Sequence, residues 1–189
     1  MTSICVFCGS SDGARAEYGD AADALGRAIV GRGHALVYGG SNIGMMRRLA
    51  DAALAAGGRV TGVIPEQLVA WERAHRGLTE LHVVSSMHER KAMMVSLSDA
   101  FVAMPGGFGT LDEFFEVLTW AQLGIHQKPC ALLNVAGYFD HLVAMFARAR
   151  QDGFLYGPEA EPLIDDDPVR LIERLAACAA GPQAHQPSV

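Results

Sequence analysis

A glycine-rich stretch followed by acidic residues is the part of the sequence most suggestive of chemistry. It reads Pro105-Gly-Gly-Phe-Gly-Thr110, between a short apolar run and a segment of helical period, which predicts a strand-to-helix turn. Gly106, Gly107 and Gly109 allow backbone angles closed to other residues and let amides approach a ligand. With Thr110 expected to cap the helix, the N–H groups at its start form an anion site suited to phosphate. A tight capped turn without a ligand is the alternative.

This turn does not match the two common glycine fingerprints of nucleotide-binding proteins. A Walker A loop needs Gly-Lys-Ser/Thr, and no lysine follows these glycines. The dinucleotide pattern G-x-G-x-x-G would need a glycine at Asp112. The sequence therefore gives little support to an ATP or NAD site.

Carboxylates follow the turn at helical spacing. Glu113 and Glu116 are three residues apart and are expected to share a helix face, with Asp112 as a third acid. The helix dipole alone accounts for one or two acids near a helix N-terminus. Beside a phosphate-binding turn, however, a carboxylate suits glycoside chemistry, because negative charge stabilises an oxocarbenium-like transition state. Thr119, six residues after Glu113, either lines the same groove or lies at the surface.

A basic pair opens another predicted helix in Met87-His-Glu-Arg-Lys91. Arg90 offers a planar fork for phosphate or a ribose hydroxyl, and Lys91 offers a point charge. Basic residues are disfavoured at a helix N-terminus, which favours a ligand over a merely solvated charged turn. The segment is not a zinc motif, since H-E-x-x-H would need a histidine at Ala92. We expect neither a metal ion nor another cofactor.

Short apolar runs that alternate with helical segments predict the elements that position these residues. The pattern is typical of a parallel sheet covered by helices on both faces. The predicted strands are Ile4–Cys8, Ala35–Tyr38, Val60–Ile64, Leu81–Val84, Ala100–Met104 and Cys130–Leu133. The predicted helices are Ala16–Val30, Met45–Ala56, His88–Leu97, Leu111–Leu123, Tyr138–Gln151 and Val169–Ala179, with a polar and partly helical connection over Pro65–Gly77.

Glycine clusters follow three of the predicted strands. Gly9-Ser-Ser-Asp-Gly13 follows the first strand, Gly39-Gly-Ser-Asn-Ile-Gly44 the second, and the Pro105–Thr110 turn the fifth. Ligands of open parallel sheets bind beyond the carboxyl ends of the strands. The three turns therefore predict a ligand approached closely by backbone, with possible contacts from Gly9, Ser10, Gly39 and Gly40.

Length and composition limit the classes of protein to which this chain can belong. The 189 residues, half of them apolar and 19% charged, predict one domain over residues 1–180, with a disordered Pro-rich tail over 181–189. The net charge of −6 argues against a nucleic-acid partner. No apolar stretch is long enough to span a membrane and the N-terminus lacks a signal peptide, so we expect a cytoplasmic protein. The four cysteines are predicted to be reduced thiols, three of them buried: Cys5, Cys8, Cys130 and Cys178.

Three segments together resemble the LONELY GUY family of cytokinin riboside 5′-monophosphate phosphoribohydrolases, many of them long mislabelled lysine decarboxylases. They are Ser86–Lys91, Pro105–Glu113 and Thr119-Trp-Ala-Gln-Leu-Gly-Ile-His-Gln-Lys-Pro129, and the resemblance runs from Ile4-Cys-Val-Phe-Cys-Gly-Ser-Ser11 to about Leu155. It implies a Rossmann-like, doubly wound α/β fold, usually dimeric. It also implies an enzyme that splits an N6-substituted AMP into free base and ribose 5-phosphate.

The resemblance also implies roles for individual residues. Arg90 and Glu113 match the catalytic pair of the family. The nucleotide-binding positions are matched by Lys91, Gly106, Gly107, Gly109 and Thr110, and a substrate-contacting glutamate by Glu72. Met87, Glu116 and Thr119 complete the predicted substrate-binding set.

The segment after the second glycine turn departs from the usual sequence of the family. Where the family usually reads Gly-Leu-Met-Gly, this chain reads Gly44-Met-Met-Arg47-Arg48, and an arginine there would crowd the site, add a phosphate contact, or be solvated.

A nucleotide or molybdenum-cofactor carrier is the alternative function, although a carrier does not need the Arg90–Glu113 pair. A lysine decarboxylase is not expected, because neither lysine of the chain, Lys91 or Lys128, has the context of a pyridoxal-phosphate Schiff base.

Overall fold

The computed structural model describes residues 2–69, 74–156 and 161–179, which form one seven-stranded parallel sheet with helices on both faces. The strands are β1 Ser3–Phe7, β2 Ala35–Tyr38, β3 Val60–Pro65, β4 Glu80–Val84, β5 Ala100–Ala103, β6 Cys130–Leu133 and β7 Leu163–Asp165. The helices are α1 Ala16–Gly31, α2 Gly44–Ala55, α3 Glu66–Val69, α4 Met87–Ser96, α5 Phe108–Gln122, α6 Asp140–Gln151 and α7 Pro168–Ala179, with a 3₁₀ turn over Val135–Gly137.

The strand order β4-β3-β2-β1-β5-β6-β7 places a topological switch point at the centre of the sheet. From β1 the chain proceeds outward through β2, β3 and β4, and then crosses to β5 on the other side of β1. The connections after β1 and β5 therefore diverge to opposite faces and leave a crevice between them. The predicted doubly wound α/β fold is confirmed.

Alternate residues of each strand pack in two separate cores, because successive side chains of a strand point to opposite faces of the sheet. Ile4 and Val6 of β1 pack with α1, α2 and α7 in one core. Cys5 and Phe7 pack with α4 and α5 in the other, against which side chains of α6 are partly buried. Both faces are covered, which explains why the strands are almost continuously apolar.

The predicted elements agree with the structure to within a few residues, with three differences. Helix α5 begins at Phe108, not at Leu111, and α6 begins at Asp140, after the 3₁₀ turn. The short strand β7 was missed, because Leu163-Ile-Asp165 is too short to show a strand pattern. Within the described residues no helix is long and apolar enough to cross a membrane.

The remaining predictions concern the cysteines, Glu72, the C-terminal tail, the extent of the domain and the location of the protein. The prediction of three buried cysteines is confirmed, since Cys178 is exposed and the other three are buried. Glu72 and the tail over 181–189 lie outside the described residues. The extent of the single domain and the cytoplasmic location stay predictions.

Candidate active site

A cleft of about 300 Å³ lies at the switch point, beyond the carboxyl ends of β1, β2 and β5. All three predicted glycine turns contribute to its wall, as the positions of the strand ends led us to expect. Its lining residues are Val6, Phe7, Cys8, Gly9, Ser10, Gly39, Met46, Met87, Arg90, Gly107, Phe108, Gly109, Thr110, Asp112 and Glu113.

Arg90 is buried in this cleft, where β3 and the turn after β2 hold its side chain. It lies on the first turn of α4, which Ser86 caps by accepting a hydrogen bond from Glu89 N at 3.2 Å. Arg90 Nε donates to the carbonyl of Val63, at 3.1 Å, in β3. Its guanidinium lies so close over Gly39 that a Cβ there would overlap it. The fork is therefore fixed in one orientation before any ligand binds.

Glu113 pairs with Arg90 inside the cleft. Arg90 Nη1 lies 2.9 Å from Glu113 Oε1, and the two side chains are only 8% and 9% exposed. Glu113 lies on the second turn of α5, on its buried face. A charge pair this well shielded from water interacts more strongly than an exposed pair, and also more strongly with any charge that develops beside it. The structure thus brings the predicted catalytic pair together.

The glycine-rich turn presents a helix N-terminus to the cleft. Gly107 is the N-cap of α5, and the first helical bond runs from Leu111 N to Gly107 O at 3.2 Å. The amides of Phe108, Gly109 and Thr110 therefore precede the hydrogen-bond ladder of the helix and suit an anion. Gly107 and Gly109 line the cleft, and a Cβ on either would meet open space.

Two details of the turn differ from the prediction. Thr110 does not cap α5, because the helix begins two residues before it and Gly107 occupies the capping position. The three predicted glycines do not adopt positive φ angles either. Gly106 is instead required by close approach, since a Cβ there would overlap Thr110 Oγ1 and come within 2.9 Å of Gly9 N.

Lys91, Glu116 and Thr119 do not line the cleft. The Lys91 ammonium is 3.2 Å from Asp112 Oδ2 and also pairs with Glu116, linking α4 to α5. The hydrogen bond with Glu116 raises the pKa of Lys91 above its usual value. The Thr119 hydroxyl donates to the Phe115 carbonyl of its own helix at 2.7 Å.

Of the remaining predicted contact residues, some line the cleft and one does not. Gly9, Ser10, Gly39 and Met87 line the cleft. Gly40 does not: it has a φ of +74°, and its carbonyl accepts a hydrogen bond from His75 N at 2.9 Å. Gly40 thus shapes the backbone of the turn without lining the cleft.

Neither arginine of the Arg47-Arg48 departure reaches the cleft. Arg48 bonds to Asp20 at 3.0 Å and also to Asp23, both on α1, and its guanidinium lies over Gly19. Arg47 lies 4.0 Å from Asp51 on its own helix and is half-exposed. Of the three alternatives, neither crowding nor a phosphate contact is therefore supported: Arg47 is solvated, and Arg48 is paired with α1.

The apolar wall of the cleft was not predicted from the sequence. Cys8, Met46 and Phe108 line it together with the predicted residues. Burial raises the pKa of the Cys8 thiol, and the Glu113 carboxylate raises it further, so the thiol is neutral near pH 7. Cys8 and Phe108 could have been predicted to line the cleft, because each is directly adjacent to a glycine of a predicted turn. Among the described residues, no three His, Cys, Asp or Glu side chains are grouped so as to hold a metal ion.

Comparison with known proteins gives consistent matches. A family profile described as "Possible lysine decarboxylase" matches residues 46–175. The chain is 54% identical over 154 residues to the cytokinin riboside 5′-monophosphate phosphoribohydrolase of Rhodococcoides fascians, covering 81% of this chain and 78% of the relative. It is 52% identical over 152 residues to a probable enzyme of the same name from Oryza sativa subsp. japonica, covering 80% and 68%. The molybdenum cofactor binding protein of Rippkaea orientalis is a solved structural neighbour, with a TM-score of 0.71 and 25% identity over 93% of this chain and 96% of that one.

The central cleft at the switch point, with a helix N-terminus and a buried charge pair in its wall, defines a Rossmann-like α/β protein. The chain belongs to the family whose curated members are named cytokinin riboside 5′-monophosphate phosphoribohydrolases. The family resemblance seen in the sequence motifs is thereby confirmed.

Proposed function

We propose that this protein hydrolyses the N-glycosidic bond of an N6-substituted adenosine 5′-monophosphate. Water adds to C1′ of the ribose while the bond to N9 of the base breaks, which gives free base and ribose 5-phosphate. The observation that carries the proposal is the buried Arg90–Glu113 pair in the same cleft as the N-terminus of α5. The names of the relatives support the same reaction.

The 5′-phosphate binds at the start of α5 in this proposal. The amides of Phe108, Gly109 and Thr110 supply hydrogen-bond donors, and the helix dipole adds a partial positive charge. The open space at Gly107 and Gly109 lets phosphate oxygens approach the backbone. Cys8 and Met46 of the apolar wall, together with Met87, receive the flat base, for which a neutral thiol is a suitable neighbour.

Glu113 and Arg90 act on the ribose. Positive charge develops on the ring as the bond to the base breaks, and the Glu113 carboxylate stabilises it and positions the attacking water. Arg90 holds Glu113 and contacts the sugar or phosphate. Because Arg90 is already fixed by Val63 and Gly39, little reorganisation is needed as the transition state forms.

A carrier function is the second candidate, because a solved structural neighbour is a molybdenum cofactor binding protein. A carrier binds its ligand and releases it unchanged. The purified protein is therefore incubated with AMP, N6-isopentenyl-AMP and adenosine, and the products are separated by chromatography. Free base and ribose 5-phosphate from the monophosphates, with adenosine left intact, are expected. Tight binding without base release would favour the carrier.

We also propose that the protein is a homodimer that joins through one apolar face formed by α5 and α6, here named the α5–α6 face. Phe115 of α5 is 41% exposed, and Met145 of α6 is 61% exposed. The ring of Phe146, also on α6, meets that of Phe115 edge-on at 5.9 Å. No residue of α6 is fully buried within the chain. Exposed apolar side chains on two neighbouring helices are typical of an interface between subunits.

A further inference from the structure

Tyr138 contacts the glycine-rich turn from outside the cleft. Its hydroxyl donates a hydrogen bond to the carbonyl oxygen of Gly106 at 2.5 Å. Tyr138 follows β6, so it reaches the turn from the neighbouring strand end. It is not one of the residues that line the cleft.

The segment that presents Tyr138 has an unusual backbone. Ala136 has a φ of +52° and Gly137 a φ of +72°, so the chain enters the left-handed region twice before the tyrosine. This conformation is unfavourable for alanine and persists only where the surroundings impose it. Asn134 supplies that constraint: its Oδ1 accepts from Phe139 N at 2.7 Å, and its Nδ2 donates to Asp140 Oδ1 at 2.7 Å.

Two aromatic contacts fix the ring of Tyr138. Tyr18 of α1 meets it edge-on with centroids 5.8 Å apart, and Phe139 meets it edge-on at 4.9 Å. Both rings are close enough for favourable edge-to-face packing. The ring that carries the hydroxyl is therefore positioned by its packing against Tyr18 and Phe139.

The bond from Tyr138 sets the direction of one peptide group. Gly106 is already confined, because Gly9 N donates to the Pro105 carbonyl at 3.1 Å and the Thr110 side chain fills the space that a Cβ on Gly106 would occupy. The peptide between Gly106 and Gly107 is trans, so its C=O and N–H point in opposite directions. With the carbonyl directed at Tyr138, the N–H of Gly107 is directed away from Tyr138, and Gly107 lines the cleft.

We propose that Tyr138 is a positioning residue for phosphate binding. Its hydroxyl fixes the Gly106–Gly107 peptide so that Gly107 N–H joins the amides of Phe108, Gly109 and Thr110 around the 5′-phosphate. This inference rests on the proposed function and adds a residue to it. Tyr138 acts only through the backbone, so its effect is confined to the phosphate end of the substrate.

The test compares Tyr138→Phe with Tyr18→Phe. Both remove one hydroxyl and keep the ring, so the edge-on contact between the two rings is retained in each. Calorimetric titration measures the dissociation constants of ribose 5-phosphate and of adenine, and steady-state kinetics give KM and kcat for AMP. For Tyr138→Phe we expect ribose 5-phosphate to bind about 3- to 10-fold more weakly, the loss of one oriented hydrogen bond. KM rises by a similar factor, while kcat and the affinity for adenine stay within about 2-fold. Tyr18→Phe changes none of them.

Each other outcome overturns the inference in a recognisable way. Unchanged binding of ribose 5-phosphate by Tyr138→Phe would show that the hydroxyl does not position the amide. A parallel loss of adenine affinity, or a large fall in melting temperature, would assign Tyr138 a merely structural role. A wild-type protein that binds neither ribose 5-phosphate nor AMP would overturn the proposed function itself, and this inference with it.

Discussion

At the scale of single residues, two neighbouring basic side chains have different environments. Arg90 points into the cleft and pairs with Glu113, whereas Lys91 points between two helices and pairs with Asp112 and Glu116. The sequence indicated that both were functional, because both are basic residues at a helix start. It did not reveal which one faces the cleft, since that depends on how α4 is rotated against α5.

Arg47 gives a prediction at this scale. Its side chain is half-exposed, lies outside the cleft and has only a weak ion pair with Asp51 at 4.0 Å. Arg47→Gly is therefore expected to leave KM and kcat for nucleoside monophosphates within about 2-fold of wild type, although glycine lowers stability by about 1 kcal/mol. Steady-state kinetics at one temperature check this. A KM changed 10-fold would mean that Arg47 reaches the substrate.

At the scale of elements, the sequence predicted the strands well, because a buried parallel strand shows as an unbroken apolar run. Ala35–Tyr38 and Cys130–Leu133 agree to the residue. The start of α5 was less predictable. Three glycines disfavour helix by propensity, yet two of them lie at or within its first turn, where Gly107 caps the helix and Gly109 follows. The role of Gly106 depends on Gly9 and Thr110, which no local pattern records.

The junction between β7 and α7 gives the second prediction. The side chain of Asp165 is 4% exposed and accepts bonds from Arg170 Nε at 2.8 Å, Arg174 Nη1 at 2.9 Å and Asp167 N at 3.0 Å. Asp165→Asn removes the charge that these donors share, which is expected to cost about 1–3 kcal/mol of unfolding free energy. Thermal unfolding should show a Tm lowered by roughly 2–12 °C. Asp166→Asn, at an exposed neighbour with one bond to Arg170, is the control and should change little.

The same carboxylate predicts a pH dependence. The hydrogen bond from Arg170, followed by the backbone N–H of Asp167, holds the pKa of Asp165 well below its usual range. Its stabilising effect is therefore fully present above the unfolded-state pKa of about 4 and is lost as the pH falls below that value. The difference in stability between wild type and Asp165→Asn should narrow in acid. A difference that stays constant from pH 7 to pH 3 would contradict this origin.

At the scale of the whole molecule, the α5–α6 face predicts the assembly state. Light scattering at micromolar concentration is expected to give about twice the chain mass. Met145→Glu places a charge on this face and should yield a monomer, because burying an unpaired carboxylate is costly. Val169→Glu, at an exposed apolar residue of α7, is the matched control and should leave the dimer intact. A monomeric wild type, or a dimer unaffected by Met145→Glu, would exclude this interface.

The most direct test of the central claim is base release from N6-isopentenyl-AMP by Glu113→Gln. This substitution keeps the volume and deletes the charge that faces the ribosyl cation in the proposed mechanism. Loss of one such electrostatic partner typically lowers kcat by about 10²–10³-fold. Glu80→Gln, at the amino end of the sheet where Glu80 pairs with Arg59, is the matched control. Calorimetric binding of AMP and the melting temperature are measured for each variant, since removing Glu113 leaves the buried Arg90 without this partner. We predict that Glu113→Gln stays folded, binds AMP within a few-fold of wild type and releases almost no base. Base release close to that of wild type would contradict the assignment of Glu113 to catalysis.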